Sequence, residues 1–334
     1  EIFDINDLPA DFSLFSQSGP GGPGPEGFRP PSVPLVTHDP YFSIWSPADR
    51  LYDAETVHWT GARQGIHSMV RIDGKAYRLM GSKPSFIEPL NQTGVRINPT
   101  QTIYQFANRQ VKIELIFTSP ALPEDLDLLS RPVTYLTWNI SSADGQSHTA
   151  ELYVDCSSEI AVDQPDQQVK WETRDLPGLK AIKVGSADQA VLQKSGDNVR
   201  IDWGYGWLAA PDEKALNRTI GAGDPVRKTF AKEGRLPENN NPGTKAVKDG
   251  YYCMALSWNI GTISNKGTSR FALLAYDDLF SIRYMEDYLR PYWRRNGMDM
   301  ERLLPVAASE YPTLLARCQS FDQKLIQDLK KSGG

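Results

Sequence analysis

Cysteine is scarce in this sequence: Cys156, Cys253 and Cys318 are the three cysteines among 334 residues. An odd number cannot pair completely within one chain, and none of the three has the CxxC or Cys/His spacing that zinc sites use. We therefore expect no metal site. Cys156 and Cys253 lie in apolar, strand-like segments, which favours buried free thiols, with a single disulfide as the alternative.

Long apolar runs and clusters of positive charge are missing as well. No stretch approaches the ~20 consecutive apolar residues of a membrane-spanning helix, so we expect no membrane insertion. The 36 basic residues are outnumbered by 41 acidic ones, for a formal net charge of -5. They form no run that would follow a phosphate backbone, which argues against a nucleic-acid partner. The sequence begins at Glu1 without a basic and apolar leader, which indicates a processed end or a boundary within a longer protein.

Familiar catalytic motifs are also absent. The chain contains no GxSxG, HExxH or GxxxxGKS segment. Its four histidines, at positions 38, 58, 67 and 148, are not spaced as metal ligands on one element. We therefore predict no catalytic residue and no cofactor in this chain, and we favour a binding or supporting module.

The strongest positive signal is a series of short segments, rich in β-branched and aromatic residues, in which apolar and polar positions alternate. They span residues 65–72, 102–106, 111–117, 133–140, 149–156, 199–202, 251–259 and 270–276. Turn dipeptides such as Asp73-Gly74 and Asp144-Gly145 separate them. No helical segment of ten or more residues alternates with these strands, so βαβ units are not expected. The predicted fold class is mainly β: a large antiparallel β-sandwich of the supersandwich type with a helical C-terminal tail.

Composition also predicts the domain boundaries. Residues 1–27 end in a Gly/Pro run that cannot pack, and we predict a flexible segment there. Residues 28–276 are predicted to form the sandwich, as one domain or two subdomains. Within it, the polar segment at about 211–248 is predicted to be a long loop between strands.

After the last predicted strand the apolar residues follow helical spacing. The spacing predicts helices over residues 278–295 and 312–331. Residues 277–334 are therefore predicted to be a helical linker toward a further domain.

Aromatic residues interleaved with Asp and His form the densest candidate for a binding site. Such residues can stack on and hydrogen-bond a sugar or another small ligand. The candidates are Asp39, Tyr41, Trp45, His58, Trp59, Trp203 and Trp207. The structural alternative is that the tryptophans belong to a core or a domain interface, while Asp39 organises a turn before Pro40.

Six short segments resemble sequences of the glutaminase A family, whose members are large exported proteins of fungi and bacteria. The segments are 34–46 (PLVTHDPYFSIWS), 51–53 (LYD), 58–61 (HWTG), 73–81 (DGKAYRLMG), 201–205 (IDWGY) and 281–284 (SIRY). Together they extend the resemblance from about residue 30 to the end of the chain.

The resemblance implies a multidomain protein with an N-terminal β-sandwich region, a connecting helical stretch and a C-terminal helical toroid of the six-hairpin type, related to glycosidases. The family's presumed catalytic carboxylates would lie in that toroid, so none is assigned to a residue of this chain. The chain alone is expected to catalyse nothing, whereas the longer protein is expected to be a hydrolase, either a glutaminase-like amidohydrolase or a glycosidase.

The partner that the resemblance implies is the helical domain of the same protein, and the implied location is secreted, periplasmic or at the cell surface. A small molecule or a glycan is a further candidate ligand. The alternative function is therefore a carbohydrate-binding module or a domain associated with glycoside hydrolysis.

Overall fold

A computed structural model describes residues 30–238 and 243–333, so the flexible segment predicted at residues 1–27 lies outside the described residues. The strands are β1 Val33–Thr37, β2 Ser43–Ser46, β3 Val57–His58, β4 Ile66–Ile72, β5 Lys75–Met80, β6 Gln92–Ile97, β7 Gln101–Ala107, β8 Val111–Thr118, β9 Val133–Ser142, β10 His148–Ser157, β11 Gln168–Leu176, β12 Leu179–Ser186, β13 Tyr205–Pro211, β14 Leu216–Ala222, β15 Lys245–Ala246, β16 Tyr252–Ile263, β17 Thr268–Asp277, β18 Ile282–Tyr284 and β19 Asp287–Leu289. The α-helices are α1 Leu126–Leu129, α2 Gly223–Glu233 and α3 Met300–Lys331, and 3₁₀ helices span Ser158–Ala161, Val247–Asp249 and Tyr292–Gly297. None of the described helices is long and apolar enough to cross a membrane.

Two large antiparallel sheets form the body of the protein. One has nine strands in the order β15-β11-β12-β13-β17-β9-β8-β7-β6, and the other has five in the order β14-β16-β10-β4-β5. They face each other across the largest apolar core, where Trp138 of β9 and Trp258 of β16 have ring centroids 5.9 Å apart. The predicted antiparallel β-sandwich is therefore confirmed. Strands β1 to β3 form a small sheet of their own, whose apolar side chains join the same core.

The strand β8 illustrates how the sequence produces this packing. Val111, Ile113 and Leu115 point into the core between the sheets, whereas Lys112 between them is exposed. Successive side chains of a strand point to opposite faces, so simple alternation is enough to bury one face.

Each outer face of the sandwich is covered by a helix. On the five-stranded sheet, Phe230 of α2 packs on Tyr153 with ring centroids 5.0 Å apart. On the nine-stranded sheet, Tyr311 of α3 stacks on Tyr135 at 4.4 Å and contacts Phe271 at 4.7 Å. Burial of one such aromatic side chain contributes on the order of 2 kcal/mol, so the C-terminal helix is an integral layer of this fold.

Within residues 30–238 and 243–333, three apolar cores are formed, and each contains one cysteine. Cys156 faces the core between the sheets, Cys253 the core beneath α2, and Cys318 the core beneath α3. All three are free and buried, which confirms the prediction of buried free thiols. Burial raises the pKa of each thiol, that of Cys318 to about 11, so the reactive thiolate is little populated at neutral pH.

The helix predicted over residues 278–295 was wrong. This segment forms the hairpin of β18 and β19, followed by the 3₁₀ helix Tyr292–Gly297. Its aromatic residues do follow helical spacing, but Leu279 and Met285 have φ angles of 57° and 53°, which interrupt a right-handed helix. Helix α3 begins at Met300, well before the predicted start, where the Asp299 side chain accepts a hydrogen bond from the Arg302 amide at 2.9 Å.

Two further segments differ from the prediction. The polar segment at 211–248 contains β14, α2 and β15, because the stripe of Val226, Phe230 and Ala231 buries one side of α2 on the sheet. Residues 199–202 form no strand.

Helix α2 is attached to its sheet by a buried ion pair. Arg227 donates from Nε and Nη2 to the two carboxylate oxygens of Asp155 on β10, at 2.7 and 2.8 Å. Tyr153 donates to the same carboxylate at 2.7 Å, and His67 Nδ1 lies 3.2 Å from it. Burial alone would raise the pKa of Asp155, but Arg227 and His67 lower it well below its usual range. Asp155 is therefore a carboxylate at all physiological pH values.

Replacing Arg227 with methionine is expected to lower the free energy of unfolding by about 3–5 kcal/mol, because Asp155 stays buried without its partner. Arg235, close by in the sequence, makes an exposed ion pair with Glu233. Arg235→Met is thus the matched control, with an expected loss below ~1 kcal/mol. Urea unfolding of both variants measures the difference, and equally small losses would contradict the anchoring role of the buried pair.

Candidate functional site

Five of the seven sequence-predicted ligand residues meet at one end of the sandwich. Here β1 and β17 end, and β9 and β13 begin. The turn after β1 is joined to β9 through His38, whose Nε2 lies 2.9 Å from Thr134 Oγ1. Burial lowers the pKa of His38 to about 4, so this imidazole is neutral at physiological pH.

Asp39 organises the turn that follows. Its Oδ1 accepts hydrogen bonds from the amides of Tyr41 and Phe42, at 2.7 and 2.9 Å, an arrangement typical of Asp before a turn. The intervening Pro40 carbonyl accepts from Trp59 Nε1 at 2.7 Å, and His58 Nε2 lies 2.9 Å from the same oxygen. Asp39 thus organises a turn, which is the structural alternative to ligand binding. Two further candidates, His58 and Trp59, contact the same turn through the Pro40 carbonyl.

The two tryptophans at this end differ in exposure. The side chain of Trp59 is 50% exposed, so one part of its ring is open to a ligand, whereas Trp203 is 1% exposed. Trp203 meets Tyr41 edge-on at 5.1 Å and donates from Nε1 to the carbonyls of Asp278 and Phe280 at 2.8 and 3.1 Å. It therefore fixes the loop after β17 and offers no stacking face.

Trp45 lies on β2, directly after the Asp39 turn and opposite Val57 of β3, whereas Trp207 lies elsewhere. The half-buried Trp45 donates from its indole to Ser43 Oγ at 2.9 Å within β2. Trp207 is buried beneath α3. The structure thus brings together Asp39, Tyr41, His58, Trp59 and Trp203, with Trp45 on the adjoining strand, and it leaves Trp207 apart.

A cavity of about 60 Å³ lies between the Asp39 turn and the loop after β17. Asp39, Tyr41, Asp278 and Ser281 are among its lining residues. This volume is well below the ~300–1,000 Å³ of typical small-molecule sites.

Asp278 is the most unusual group in this lining. Ser281 donates to its Oδ2 at 2.5 Å, while the buried Oδ1 has no hydrogen-bond partner among the described residues. Burial, followed by the nearby carboxylates of Asp39 and Asp277, raises the pKa of Asp278 to about 6. A carboxyl group with such a pKa can give or take a proton near neutral pH.

Sequence reasoning missed Asp278, although a signal was present. Asp277 and Asp278 follow directly after the apolar run of β17, where two adjacent carboxylates must be accommodated at the edge of a core. Asp277 is neutralised by Arg294, whose Nη1 lies 2.6 Å from both of its carboxylate oxygens. Asp278 lacks such a partner, which explains why its pKa is raised.

A second group of ionisable residues connects Glu55, His67 and Asp155. His67 Nε2 lies 2.7 Å from Glu55 Oε2, and its Nδ1 faces Asp155. Burial and Arg227 lower the pKa of His67, but the two carboxylates outweigh them and its pKa is raised. The ring is closely packed: a Cβ atom added at Gly81 would lie 2.4 Å from it. His67 and Asp155 are therefore closed to a substrate, while Glu55, at 19% exposure, is the partly exposed end of the chain.

A larger cavity of about 190 Å³ adjoins the first, and Trp293 lines both. Its charged residues are engaged in ion pairs, Arg295 with Asp127 and Arg131 with Glu310. Small-molecule sites usually measure ~300–1,000 Å³, so this cavity is also small for a substrate. Across the described ranges, no group of three or more His, Cys, Asp or Glu side chains could hold a metal ion.

Comparison with known families identifies the chain. A family described as "Domain of unknown function (DUF5127)" matches residues 100–328, and a second, "Domain of unknown function (DUF4964)", matches residues 25–91. Since the first match covers more than half of the sequence, the chain belongs to the DUF5127 family.

Curated relatives confirm the resemblance to the glutaminase A family. The chain is 27% identical over 323 residues to glutaminase A of Aspergillus oryzae, a match that covers 92% of this chain and 46% of that protein. It is 21% identical over 314 residues to a protein of Arthroderma benhamiae named "Probable glutaminase", covering 86% of this chain and 35% of the relative. The chain therefore spans less than half the length of these relatives.

Solved structures show only partial likeness. A bacterial glucoamylase complexed with acarbose aligns with a TM-score of 0.42 and 10% identity, over 73% of this chain and 32% of the glucoamylase. A TPR-domain containing protein from Parabacteroides distasonis aligns with a TM-score of 0.32 and 11% identity, over 79% of this chain and 56% of that chain.

We expect Asp278 to titrate at about pH 6, as measured by carbon-13 NMR of its carboxyl group. Because Asp39 contributes to the shift, Asp39→Asn should lower the Asp278 pKa, while the new amide oxygen still accepts from Tyr41 and Phe42. Asp322, whose pKa burial raises to about 6 beside Thr100, is the internal control and should not move. An unchanged Asp278 titration would contradict the coupling of the two carboxyl groups.

The raised pKa of Asp278 makes the free energy of unfolding depend on pH. Folding raises the pKa of Asp278, so its contribution to stability is complete below pH ~4 and is lost as the pH rises through about 6. Asp278→Asn should remove this loss, a gain of up to ~2 kcal/mol above pH 7. Urea unfolding at pH 4 and pH 7.5 measures it, and an identical pH dependence in both proteins would contradict the assignment.

Proposed function

We propose that this chain is a non-catalytic β-sandwich module of a glutaminase-like hydrolase, which packs on and supports a helical domain where the reaction takes place. The observation that supports the proposal is that the acid–base groups of this chain have little space beside them for a substrate. His67 and Asp155 are fully buried with Glu55 as their partly exposed neighbour, and Asp278 faces a cavity of about 60 Å³. Neither arrangement offers the space of a typical small-molecule site.

The extent of the homology supports the same proposal. The match to glutaminase A covers 92% of this chain but 46% of the relative, so more than half of such a protein lies outside the region shared with this chain. A hydrolase requires a positioned acid and base beside its substrate, and we place these groups in that other part. Export of the protein to the periplasm, the cell surface or the medium is part of the proposal and is supported by the resemblance; detection of the protein only in the cytosol of its native host would contradict it.

The proposal is tested by comparing residues 1–334 with the complete product of the gene that encodes them. Both are assayed for release of ammonia from glutamine and for hydrolysis of a panel of glycosides. We expect turnover by the complete product and at least a 1,000-fold lower rate, on the order of background, for residues 1–334, because removal of a complete catalytic set leaves little rate enhancement.

Either of two results would contradict the proposal. One is turnover by residues 1–334 at a rate comparable to that of the complete product. The other is a gene product that ends at residue 334, since it would leave no domain for the module to support.

A carbohydrate-binding module is the second candidate function, and the exposed ring of Trp59 favours it. Trp59 is half exposed and fixed by its hydrogen bond to Pro40, beside the exposed carboxylate of Asp39. A fixed aromatic face next to a polar group is a common platform for a sugar ring.

If Trp59 binds glycans, their addition should change the intrinsic tryptophan fluorescence of the chain, and Trp59→Phe should abolish this change. Trp207→Phe is the control, because Trp207 is buried beneath α3 and is not part of this group. No fluorescence change over a panel of oligosaccharides at millimolar concentration would exclude this function.

A further inference from the structure

The hairpin of β18 and β19 carries an unusual amount of exposed apolar surface. All six residues of its two strands are exposed. Its large apolar side chains, together with the neighbouring Tyr292, are 44–78% exposed: Ile282, Tyr284, Met285, Tyr288, Leu289 and Tyr292. The hairpin as a whole presents on the order of 500 Å² of mainly apolar surface, comparable to the largest patch of a typical monomer. This surface is divided between two faces, because Tyr288 points away from Ile282, Tyr284 and Leu289.

The turn at the tip of the hairpin contains Met285 in a backbone conformation that disfavours a side chain. Tyr284 pairs with Asp287, so Met285 and Glu286 form a two-residue turn, and Met285 has a φ of 53°. Turns of this kind favour glycine at such a position, because a side chain there is strained. Met285 is nevertheless the most exposed large apolar residue, at 78%. The methionine side chain therefore contributes nothing to the fold of the hairpin itself.

The base of the hairpin is held firmly in place. The Ser281 amide donates to the Leu289 carbonyl at 2.9 Å, closing the two strands. Trp203 binds the preceding loop through two carbonyls, and Phe280 lies edge-on to Tyr288 with ring centroids 5.7 Å apart. A surface fixed in advance loses little conformational entropy when it binds, which favours association.

From these features we infer that the hairpin is the surface on which the remaining part of the glutaminase A family chain docks. This inference rests on the function proposed above. The occupant is indicated by length, since more than half of each relative lies outside the region shared with this chain. Composition agrees, because Tyr, Met and Arg are enriched in the centres of protein interfaces.

The surface also defines the chemistry of its partner. Arg283 and Arg290 flank the apolar side chains, with their guanidinium groups over the rings of Tyr288 and Phe280 at 5.8 and 5.3 Å. Arg283 is already paired with Glu286 at 2.7 Å, so Arg290 is the cation available to the partner. The partner surface is therefore an apolar groove with a carboxylate or carbonyl acceptor near Arg290. A stable interface buries ~800 Å² on each partner, so contact extends past the hairpin to the exposed Leu126 and Leu129 of α1, which lies at the same end of the sandwich.

Hydrogen–deuterium exchange of the complete gene product and of residues 1–334 tests the inference directly. The amides of residues 281–292 are expected to exchange at least ten-fold more slowly in the complete product, because the docked partner excludes water and restrains opening. The segment around Phe86, which is 65% exposed and follows the edge strand β5 of the five-stranded sheet, serves as the internal reference and should exchange equally in both proteins.

Substitutions then separate docking from folding. Met285→Gly relieves the strained turn, so it should leave the midpoint of thermal unfolding of residues 1–334 unchanged or raised. In the complete product the same substitution should lower the midpoint of the sandwich toward that of residues 1–334. Phe86→Ser, which removes another exposed apolar side chain, is the matched control. It should change the midpoint of thermal unfolding by the same amount in residues 1–334 and in the complete product.

The outcomes distinguish this inference from the proposed function. If the complete product alone is active but its hairpin exchanges as fast as in residues 1–334, the proposed function stands and the docking surface is overturned. If residues 1–334 form a dimer that protects the hairpin and that Met285→Gly dissociates, the occupant is a second copy and the inference is overturned. Turnover by residues 1–334 contradicts the proposed function whatever the hairpin does.

Discussion

The nine-stranded sheet is apolar on both faces, and much of the architecture follows from this constraint. Along β17, Ala272, Leu274 and Tyr276 face the core between the sheets, while Phe271 and its alternate neighbours face outward into a second core. An antiparallel sheet commonly leaves one face to water, but here both faces must be covered. Helix α3 supplies the second cover. The chain must therefore turn around the end of the sheet between β17 and α3, and this connection contains the hairpin and lines both cavities.

How far the sequence predicts this fold depends on the range of the interactions involved. Strand β17 was recognisable because its apolar run is a local property. The segment after it was misread as a helix, since Phe280, Tyr284 and Tyr288 follow helical spacing although they lie on a hairpin whose turn conformations are set at Leu279 and Met285. Periodicity alone cannot distinguish the two when the apolar residues are exposed and have no local partner.

In the candidate site, too, the sequence predicts what is local and misses what depends on distant segments. Asp39 and Tyr41 were identifiable because an aspartate before a proline, followed by aromatic residues, is a local pattern. Asp278 was not, because its importance comes from its proximity to Asp39, which only the packing of distant segments creates. The contrast with Asp155 is instructive. Both are aspartates withdrawn from water, but Arg227 lowers the pKa of one, whereas the other has a hydroxyl as its hydrogen-bond partner and a raised pKa. The environment, and not the residue type, decides which carboxyl group can exchange a proton near neutral pH.

Because of their positions, the three cysteines can be used to measure how the layers of this protein open. Because one thiol is buried in each apolar core, a reagent that modifies cysteine can react only when the corresponding layer opens. Cys318 reacts when α3 lifts from the nine-stranded sheet, Cys253 when α2 detaches, and Cys156 when the two sheets separate. The order in which the three thiols become modified would therefore reveal whether the layers open one after another or as a single cooperative unit.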